Sequence, residues 1–297
     1  VALVSRACLV TLPAFDARNA LEVMERERCT LTSGNDTLFQ MMLAEAAKVP
    51  RRLALRGGWI AAGPETTRQV ITQLGARQIC TAYGLSETSG NVAATCFEDP
   101  EALRVEGLLL PHDGVEIRIA DPDDQKPLPD GTDGEILVRG WCVMKGYYKD
   151  DAMNEATLTA DGWLRTGDVG HVVDGRLRFV GRLKDMFRVG GENVAPAEVE
   201  RILLRHPAVQ TAQVVGVPDA RLGEVPAAYV KLHADARVSV AELQEWTKSH
   251  CASFRVPRYL RFVDDFEAIG VTASGKIQKS KLRQQAIDDF LKEKEYR

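Results

Sequence analysis

Segments with helical periodicity alternate with short apolar strand-like segments up to residue 91, and this alternation most constrains the fold of the chain. Apolar residues recur at helical spacing in residues 17–30, 36–48 and 64–74. Residues 53–55 and 78–82 have the length and composition of buried strands. Strands that alternate with helices form a parallel sheet covered by helices. The sequence therefore predicts an α/β fold in this part of the chain.

The pattern changes after residue 91. Residues 115–119 and 135–138 alternate polar and apolar side chains, as half-buried strands do, and residues 177–180 continue this pattern. Residues 121–134 are rich in Asp, Pro and Gly, which is typical of turns. We therefore expect a small antiparallel β subdomain in the middle of the chain.

The best candidate for a domain boundary is the segment 182–185, which divides the chain into domains 1–183 and 184–297. Helices and strands mix in the second of these, which predicts a small α+β domain. Its predicted elements are, in order, a helix from Pro196, strands at 209–217 and 227–232, a helix at 240–250 capped by Ser239, a strand at 261–263 and a helix from about Ser280.

Composition excludes several classes of function. The formal net charge is −4, so we expect no nucleic-acid partner. No apolar run approaches the ~20 residues of a membrane helix, so we expect no integral membrane segment. The six cysteines form no CxxC pair and the five histidines show no ligand spacing, which argues against zinc and against a disulfide scaffold. Scattered reduced cysteines suit a cytoplasmic protein.

The segment Tyr83-Gly84-Leu85-Ser86-Glu87-Thr88 follows a predicted strand, at the edge where α/β sheets bind ligands. A tyrosine followed by glycine can stack on a flat ring while the backbone approaches closely. Glu87 can hold Mg²⁺, which takes carboxylate and phosphate oxygens. In isolation, the same residues fit a core tyrosine and a glutamate at a helix N-terminus.

Asp168 ends the segment Gly162-Trp163-Leu164-Arg165-Thr166-Gly167-Asp168, and we expect residues 166–168 to form a tight turn. A carboxylate can accept both hydroxyls of a ribose. Aspartate in a turn is also a common structural feature, so the residue type alone leaves both interpretations open.

Small residues lead to a lysine in the segment Thr272-Ala273-Ser274-Gly275-Lys276. Such a loop lets a compact, mobile ammonium enter a crowded site. Taken alone, the segment fits a surface turn equally well.

Four segments, in this order along the chain, resemble motifs of the adenylate-forming superfamily, which includes acyl-CoA synthetases, luciferases and peptide-synthetase adenylation domains. The four are residues 83–88, 162–168, 181–185 and 272–276. The resemblance extends from about Pro13 to Arg283. It implies the C-terminal part of a large adenylation domain followed by a small lid domain, with a hinge near Lys184.

The resemblance implies a nucleotide site. Tyr83, followed by Gly84, would lie beside adenine, Glu87 would contact Mg²⁺ and Thr88 would touch the α-phosphate. Asp168 would bind the ribose hydroxyls. Arg182 would assist it there.

The resemblance also implies further binding and catalytic residues. Gly57-Gly58, which predicts a turn, matches a glycine pair whose backbone approaches adenine and the acyl group, although Trp59-Ile60 follows it here instead of Ala-Pro. Gly190-Gly191, a second predicted turn, would line the pantetheine channel. Lys276 would bridge the carboxylate and the α-phosphate, as fixed cations do where charge develops.

The activity implied by the resemblance is ATP-dependent activation of a small-molecule carboxylate to acyl-AMP, followed by transfer to coenzyme A. ATP, Mg²⁺ and coenzyme A would be the cofactors. The sequence of residues 184–194 most resembles the sequences of fatty or aryl acyl-CoA synthetases, which implies a role in fatty acid metabolism.

A Ser/Thr/Gly-rich phosphate loop ending in lysine, which the superfamily carries in an N-terminal portion, has no counterpart here. Thr32-Ser33-Gly34 is too short to be this loop, and its position relative to Tyr83 does not fit the order of the superfamily's motifs. We therefore expect a chain that lacks the N-terminal portion, and a partner that is either a second copy or the missing half. Three alternatives stay open: an adenylation module serving a carrier protein, a luciferase-like oxygenase and an inactive half-enzyme.

Overall fold

The computed structural model describes residues 4–266, 268–270 and 277–291. The described residues form two compact units. The first contains residues up to 86 together with 90–112, and the second contains 87–89 together with the residues from 113 onward. Among the described residues, no helix is both long enough and apolar enough to span a bilayer.

The first unit is a sheet with helices, and its strands follow the order β1-β2-β3-β4-β5. β1, β2 and β3 are parallel, β4 pairs antiparallel with β3, and β5 pairs antiparallel with β4. The predicted α/β architecture is therefore present. The elements are α1 (Ala17–Arg26), β1 (Leu31–Asn35), α2 (Asp36–Ala46), β2 (Gly57–Ala61), α3 (Pro64–Gln73), β3 (Gln78–Tyr83), β4 (Ala93–Ala94), α4 (Glu101–Glu106) and β5 (Leu108–Pro111).

The helices of this unit begin where capping residues occur. The Asp16 side chain accepts a hydrogen bond from the Asn19 amide, and Asn35 caps α2 in the same way. The predicted extension of α1 to residue 30 is wrong, because Arg28 has a φ of 51°, which no right-handed helix accommodates. Apolar side chains from the helices and strands fill one core, in which Leu21, Phe39, Ile60, Val70 and Ile79 are completely buried.

The Gly57-Gly58 pair lies inside β2, so the predicted turn there is wrong, and residues 53–55 form no strand. A Cβ atom on Gly57 would lie 2.5 Å from the Gln78 carbonyl oxygen on β3. On Gly58, it would lie 1.7 Å from the Thr32 carbonyl oxygen on β1. The glycines are therefore required by close approach of three neighbouring strands.

The second unit begins with the predicted antiparallel sheet. Its strand order is β9-β8-β7-β6, and each neighbouring pair is antiparallel. One short helix precedes β8 in the chain. These elements are β6 (Val115–Ala120), β7 (Gly134–Gly140), α5 (Asp151–Thr157), β8 (Leu164–Val173) and β9 (Arg176–Arg182).

The rest of the second unit is a mixed α+β arrangement, as the sequence predicts. Its sheet has the order β11-β10-β13-β12, and β14 pairs parallel with β13. The helices pack against it over a core that includes Val199, Leu203, Tyr229 and Leu243. The elements are β10 (Phe187–Val189), β11 (Glu192–Val194), α6 (Pro196–Leu204), β12 (Val209–Asp219), β13 (Gly223–Leu232), α7 (Val240–His250), β14 (Tyr259–Phe262) and α8 (Lys279–Phe290).

The predicted domain boundary near Lys184 lies within the second unit. It falls on a single 3-10 turn, Leu183–Asp185, between β9 and β10. The division into domains 1–183 and 184–297, with a hinge at this turn, stays a prediction.

Candidate functional site

Tyr83 is the last residue of β3, and the loop that follows it leaves the carboxyl end of the strand, as predicted. The Tyr83 side chain is buried, and the backbone carbonyl oxygen of Tyr83 accepts a hydrogen bond from the Val92 amide at 2.9 Å. A Cβ atom on Gly84 would lie 2.5 Å from the Gly90 carbonyl oxygen. Only glycine therefore lets the two ends of this loop approach so closely.

The Glu87 carboxylate contacts a tyrosine that sequence reasoning did not identify. The Tyr147 hydroxyl donates a hydrogen bond to Glu87 Oε1 at 2.9 Å. Burial, and then the carboxylate itself, raise the pKa of Tyr147, which keeps the hydroxyl protonated as a donor. Thr88, the next residue, is completely buried.

Residues 166–168 form a bulge within β8, so the predicted tight turn is wrong. Leu137 of β7 pairs with Arg165, whereas Glu135 pairs with Val169, and β8 therefore contains two extra residues between these pairs. Gly167 takes the left-handed conformation, with a φ of 65°. The strand continues beyond the bulge, where pairing with β9 begins at Asp168.

Glu135 anchors the bulge from the neighbouring strand. Its side chain is only 2% exposed, and Oε2 accepts hydrogen bonds from Arg165 Nη2 at 2.8 Å and from Gln125 Nε2 at 3.1 Å. Oε1 accepts from the Gly167 amide at 3.2 Å. A glutamate inside an apolar strand is the sequence signal that could have revealed this buried polar centre.

Asp168 and Arg182, both predicted site residues, are brought together across β8 and β9. The two residues are paired in the sheet, and Arg182 Nε lies 3.2 Å from Asp168 Oδ1. The Asp168 side chain is 3% exposed, whereas 41% of the Arg182 side chain is exposed. The pair presents a carboxylate oriented by a guanidinium, an arrangement that can accept hydrogen bonds from a diol.

Gly190 and Gly191 form the two-residue turn between β10 and β11, as predicted. Their φ angles are 61° and 96°, in the region that glycine adopts without steric cost. Lys184 lies on the preceding 3-10 turn, where the Met186 amide closes the turn with hydrogen bonds to the Arg182 and Leu183 carbonyl oxygens.

Two predicted residues remain, Gly58 and Lys276. Gly58 lies in β2, where it allows close strand approach. Lys276 lies outside the described residues. Within the described ranges, no group of three or more His, Cys, Asp or Glu side chains could hold a metal ion.

Two family models match the chain. The model of the AMP-binding enzymes matches residues 1–148, and that of the AMP-binding enzyme C-terminal domain matches residues 198–276. The putative acyl-CoA synthetase YngI of Bacillus subtilis (strain 168) is 41% identical over 291 residues, which are 96% of this chain and 52% of the relative. The chain thus spans about half the length of the curated relatives it matches.

Solved structures show the same relationship. ATP-bound MatB from Rhodopseudomonas palustris matches with a TM-score of 0.85 and 29% identity, over 97% of this chain and 57% of that one. The amide bond synthetase McbA from Marinactinospora thermotolerans matches with a TM-score of 0.81 and 32% identity, over 92% and 56% of the two chains. The α/β fold class is thereby confirmed, and the chain belongs to the adenylate-forming family of AMP-binding enzymes.

Proposed function

We propose that this chain takes part in ATP-dependent activation of a carboxylic acid and its transfer to coenzyme A. A carboxylate oxygen attacks the α-phosphorus of ATP, and pyrophosphate leaves with the electrons of the broken P–O bond. The coenzyme A thiol then loses its proton, attacks the acyl carbon, and displaces AMP. The observation that carries the proposal is the buried Asp168 beside Arg182 at a bulge, in a chain related to acyl-CoA synthetases.

Asp168, Tyr83 and Gly84 are each proposed to bind the nucleoside. The Asp168 carboxylate accepts hydrogen bonds from the ribose hydroxyls, and Arg182 orients that carboxylate by direct contact. Tyr83 and Gly84 offer a ring and a closely approaching backbone to adenine. Thr88 is proposed as the contact for the α-phosphate.

Glu87 is proposed as the protein ligand of Mg²⁺. Mg²⁺ usually keeps several waters and binds through one or two protein carboxylates together with phosphate oxygens. A single protein carboxylate therefore fits this role better than a site built entirely from protein ligands. Such an ion, when bound, neutralises charge on the phosphates. The chain's own contribution is to hold the Glu87 carboxylate in place through Tyr147.

Lys276 is proposed as the cation that bridges the substrate carboxylate and the α-phosphate during adenylation. Lys184 is proposed as the hinge, because the short turn that carries it separates β9 from β10 and needs only a few backbone rotations to move. The Gly190-Gly191 turn is proposed to line the channel for the thiol. Gly58, held between β1 and β3, is proposed to approach the acyl group through its backbone.

The first experiment measures pyrophosphate release by the purified 297-residue chain with ATP, Mg²⁺ and short, medium, long or aromatic carboxylates. We expect release that depends on one class of acid and is lower in Asp168→Asn. Coenzyme A is then added, and thioester is compared with the product formed from an amine, since an amide bond synthetase is among the similar structures. Folded protein that releases no pyrophosphate with any acid would contradict activity of this chain alone and favour a half-enzyme.

A further inference from the structure

The segment between β7 and α5 is bound to residues 87–89 by three hydrogen bonds. The Met144 amide donates to the Glu87 carbonyl oxygen at 2.8 Å. The Ser89 hydroxyl donates to the Cys142 carbonyl oxygen at 3.0 Å. The Tyr147 hydroxyl donates to the Glu87 carboxylate at 2.9 Å. Both the backbone and the side chain of Glu87 are therefore positioned by the same segment.

Tyr147 is itself fixed by a side chain on α5. The Asn154 side-chain oxygen accepts a hydrogen bond from the Tyr147 amide at 2.6 Å, and its Nδ2 donates to the Tyr147 carbonyl oxygen at 3.1 Å. This double contact allows little rotation of the Tyr147 backbone. Asp150 caps α5 by accepting from the Met153 amide, which sets the helix that carries Asn154.

Gly146 makes this approach of Asn154 to the backbone feasible. Its φ of 142° lies outside the range that other residues readily adopt. A Cβ atom there would lie 2.9 Å from Asn154 Oδ1, which is closer than real Cβ contacts. The sequence Gly146-Tyr147 followed by Asn154 thus forms a small clamp that directs one hydroxyl toward Glu87.

We propose that Tyr147, held by Asn154, is a positioning residue that orients the Glu87 carboxylate toward a metal-bound phosphate, an inference that rests on the proposed function. A hydrogen bond to one carboxylate oxygen fixes rotation of the whole group and so directs the other oxygen. Metal affinity depends on such outer contacts because they set the orientation of the ligand. Tyr147 touches neither substrate nor metal in this proposal and acts only through Glu87.

The test compares Tyr147→Phe with Tyr148→Phe. Tyr148 is the neighbouring tyrosine and is 87% exposed, so its hydroxyl serves as a matched control. Calorimetry measures ATP binding to the 297-residue chain over a range of Mg²⁺ concentrations and again in EDTA. We expect Tyr147→Phe to weaken Mg²⁺-dependent ATP binding roughly tenfold, the scale for losing a hydrogen bond to a charged group, and to leave binding in EDTA unchanged.

Hydrogen exchange of the backbone amides of residues 87–89 provides a readout that needs no nucleotide. We expect these amides to exchange faster in Tyr147→Phe than in Tyr148→Phe. Unchanged exchange, or equal weakening of ATP binding with and without Mg²⁺, would overturn the positioning role. If the unmodified chain, Tyr147→Phe and Tyr148→Phe all fail to bind ATP, the result contradicts the proposed function and the metal-directed part of this inference. Hydrogen exchange would still decide whether Tyr147 holds Glu87.

Discussion

Replacement of Glu135 by alanine should be far more damaging than replacement of a similar but exposed glutamate. The Glu135 carboxylate is 2% exposed and accepts hydrogen bonds from Arg165, Gln125 and the Gly167 amide. Removal of one partner from a buried ion pair typically costs ~3–5 kcal/mol. Because 33% of the Arg165 side chain is exposed, water solvates part of its charge. We therefore expect the free energy of unfolding to fall by about 2–3 kcal/mol.

The matched control is Glu116→Ala. Glu116 also pairs with an arginine on the neighbouring strand, with Arg139 Nη2 at 2.7 Å, but 58% of its side chain is exposed. Exposed ion pairs contribute little, because water screens the charges and the side chains lose entropy. Urea unfolding of the two variants, followed by far-ultraviolet circular dichroism, compares the two losses directly.

A local measurement separates loss of the bulge from general destabilisation. The Gly167 amide donates to Glu135 Oε1 at 3.2 Å, so its hydrogen exchange should accelerate in Glu135→Ala under conditions where the protein stays folded. Equal urea midpoints and slopes for Glu135→Ala and Glu116→Ala would refute the reasoning, because they would show that burial of this carboxylate adds nothing. Protected exchange at Gly167 in Glu135→Ala would refute the proposed anchoring of the bulge.

Three further changes test other parts of the molecule. Lys276→Ala should lower the rate of adenylation by roughly two to three orders of magnitude, the scale for one key electrostatic contact. It should affect thioester formation from supplied acyl-adenylate far less. Equal losses in both half-reactions would exclude the proposed role of Lys276. Asp168→Asn should weaken AMP binding about tenfold in calorimetry because hydrogen bonds to a charged acceptor are lost, and unchanged affinity would remove it from the ribose site. Burial, and then the Asp289 carboxylate, raise the pKa of Tyr229 above its ordinary value of 10.0. The unfolded chain therefore loses this proton at a lower pH than the folded protein does, so the free energy of unfolding should decline as the pH rises above 10. Tyr229→Phe should flatten that decline in urea unfolding between pH 8 and 11, and an unchanged slope would argue against this linkage.

Local sequence signals predicted the C-terminal elements closely. The helix from Val240 to His250 has the predicted bounds, since Ser239 and Glu242 form a capping box whose contacts lie within one turn. The helix that begins at Pro196 was predicted from the fit of proline to a first turn. These signals succeed because each depends on residues a few positions apart, so no distant partner can override them.

Glycines and polar residues within strands were predicted less well because their roles depend on neighbouring strands. Gly58 has the sequence signature of a turn, but the Thr32 carbonyl oxygen on the adjacent strand explains its presence. The segment 166–168 also has turn composition, but pairing on both sides keeps it within β8 as a bulge. Composition indicates that the backbone departs from regular strand geometry. Only the register of the partner strands determines whether the segment forms a turn or a bulge.

The same distinction explains which parts of the candidate site could be predicted. Asp168, Arg182 and Glu87 belong to contiguous motifs, so the resemblance predicts them as site residues. Tyr147 and Glu135 act through contacts with residues 60 and 32 positions away, and their own neighbours in sequence do not indicate those contacts. Tyr147 contacts the candidate site residue Glu87, and Glu135 contacts the Gly167 amide next to Asp168, where an unmet hydrogen bond would be costly. Substitutions at these two positions should therefore alter the site without removing any of its motif residues.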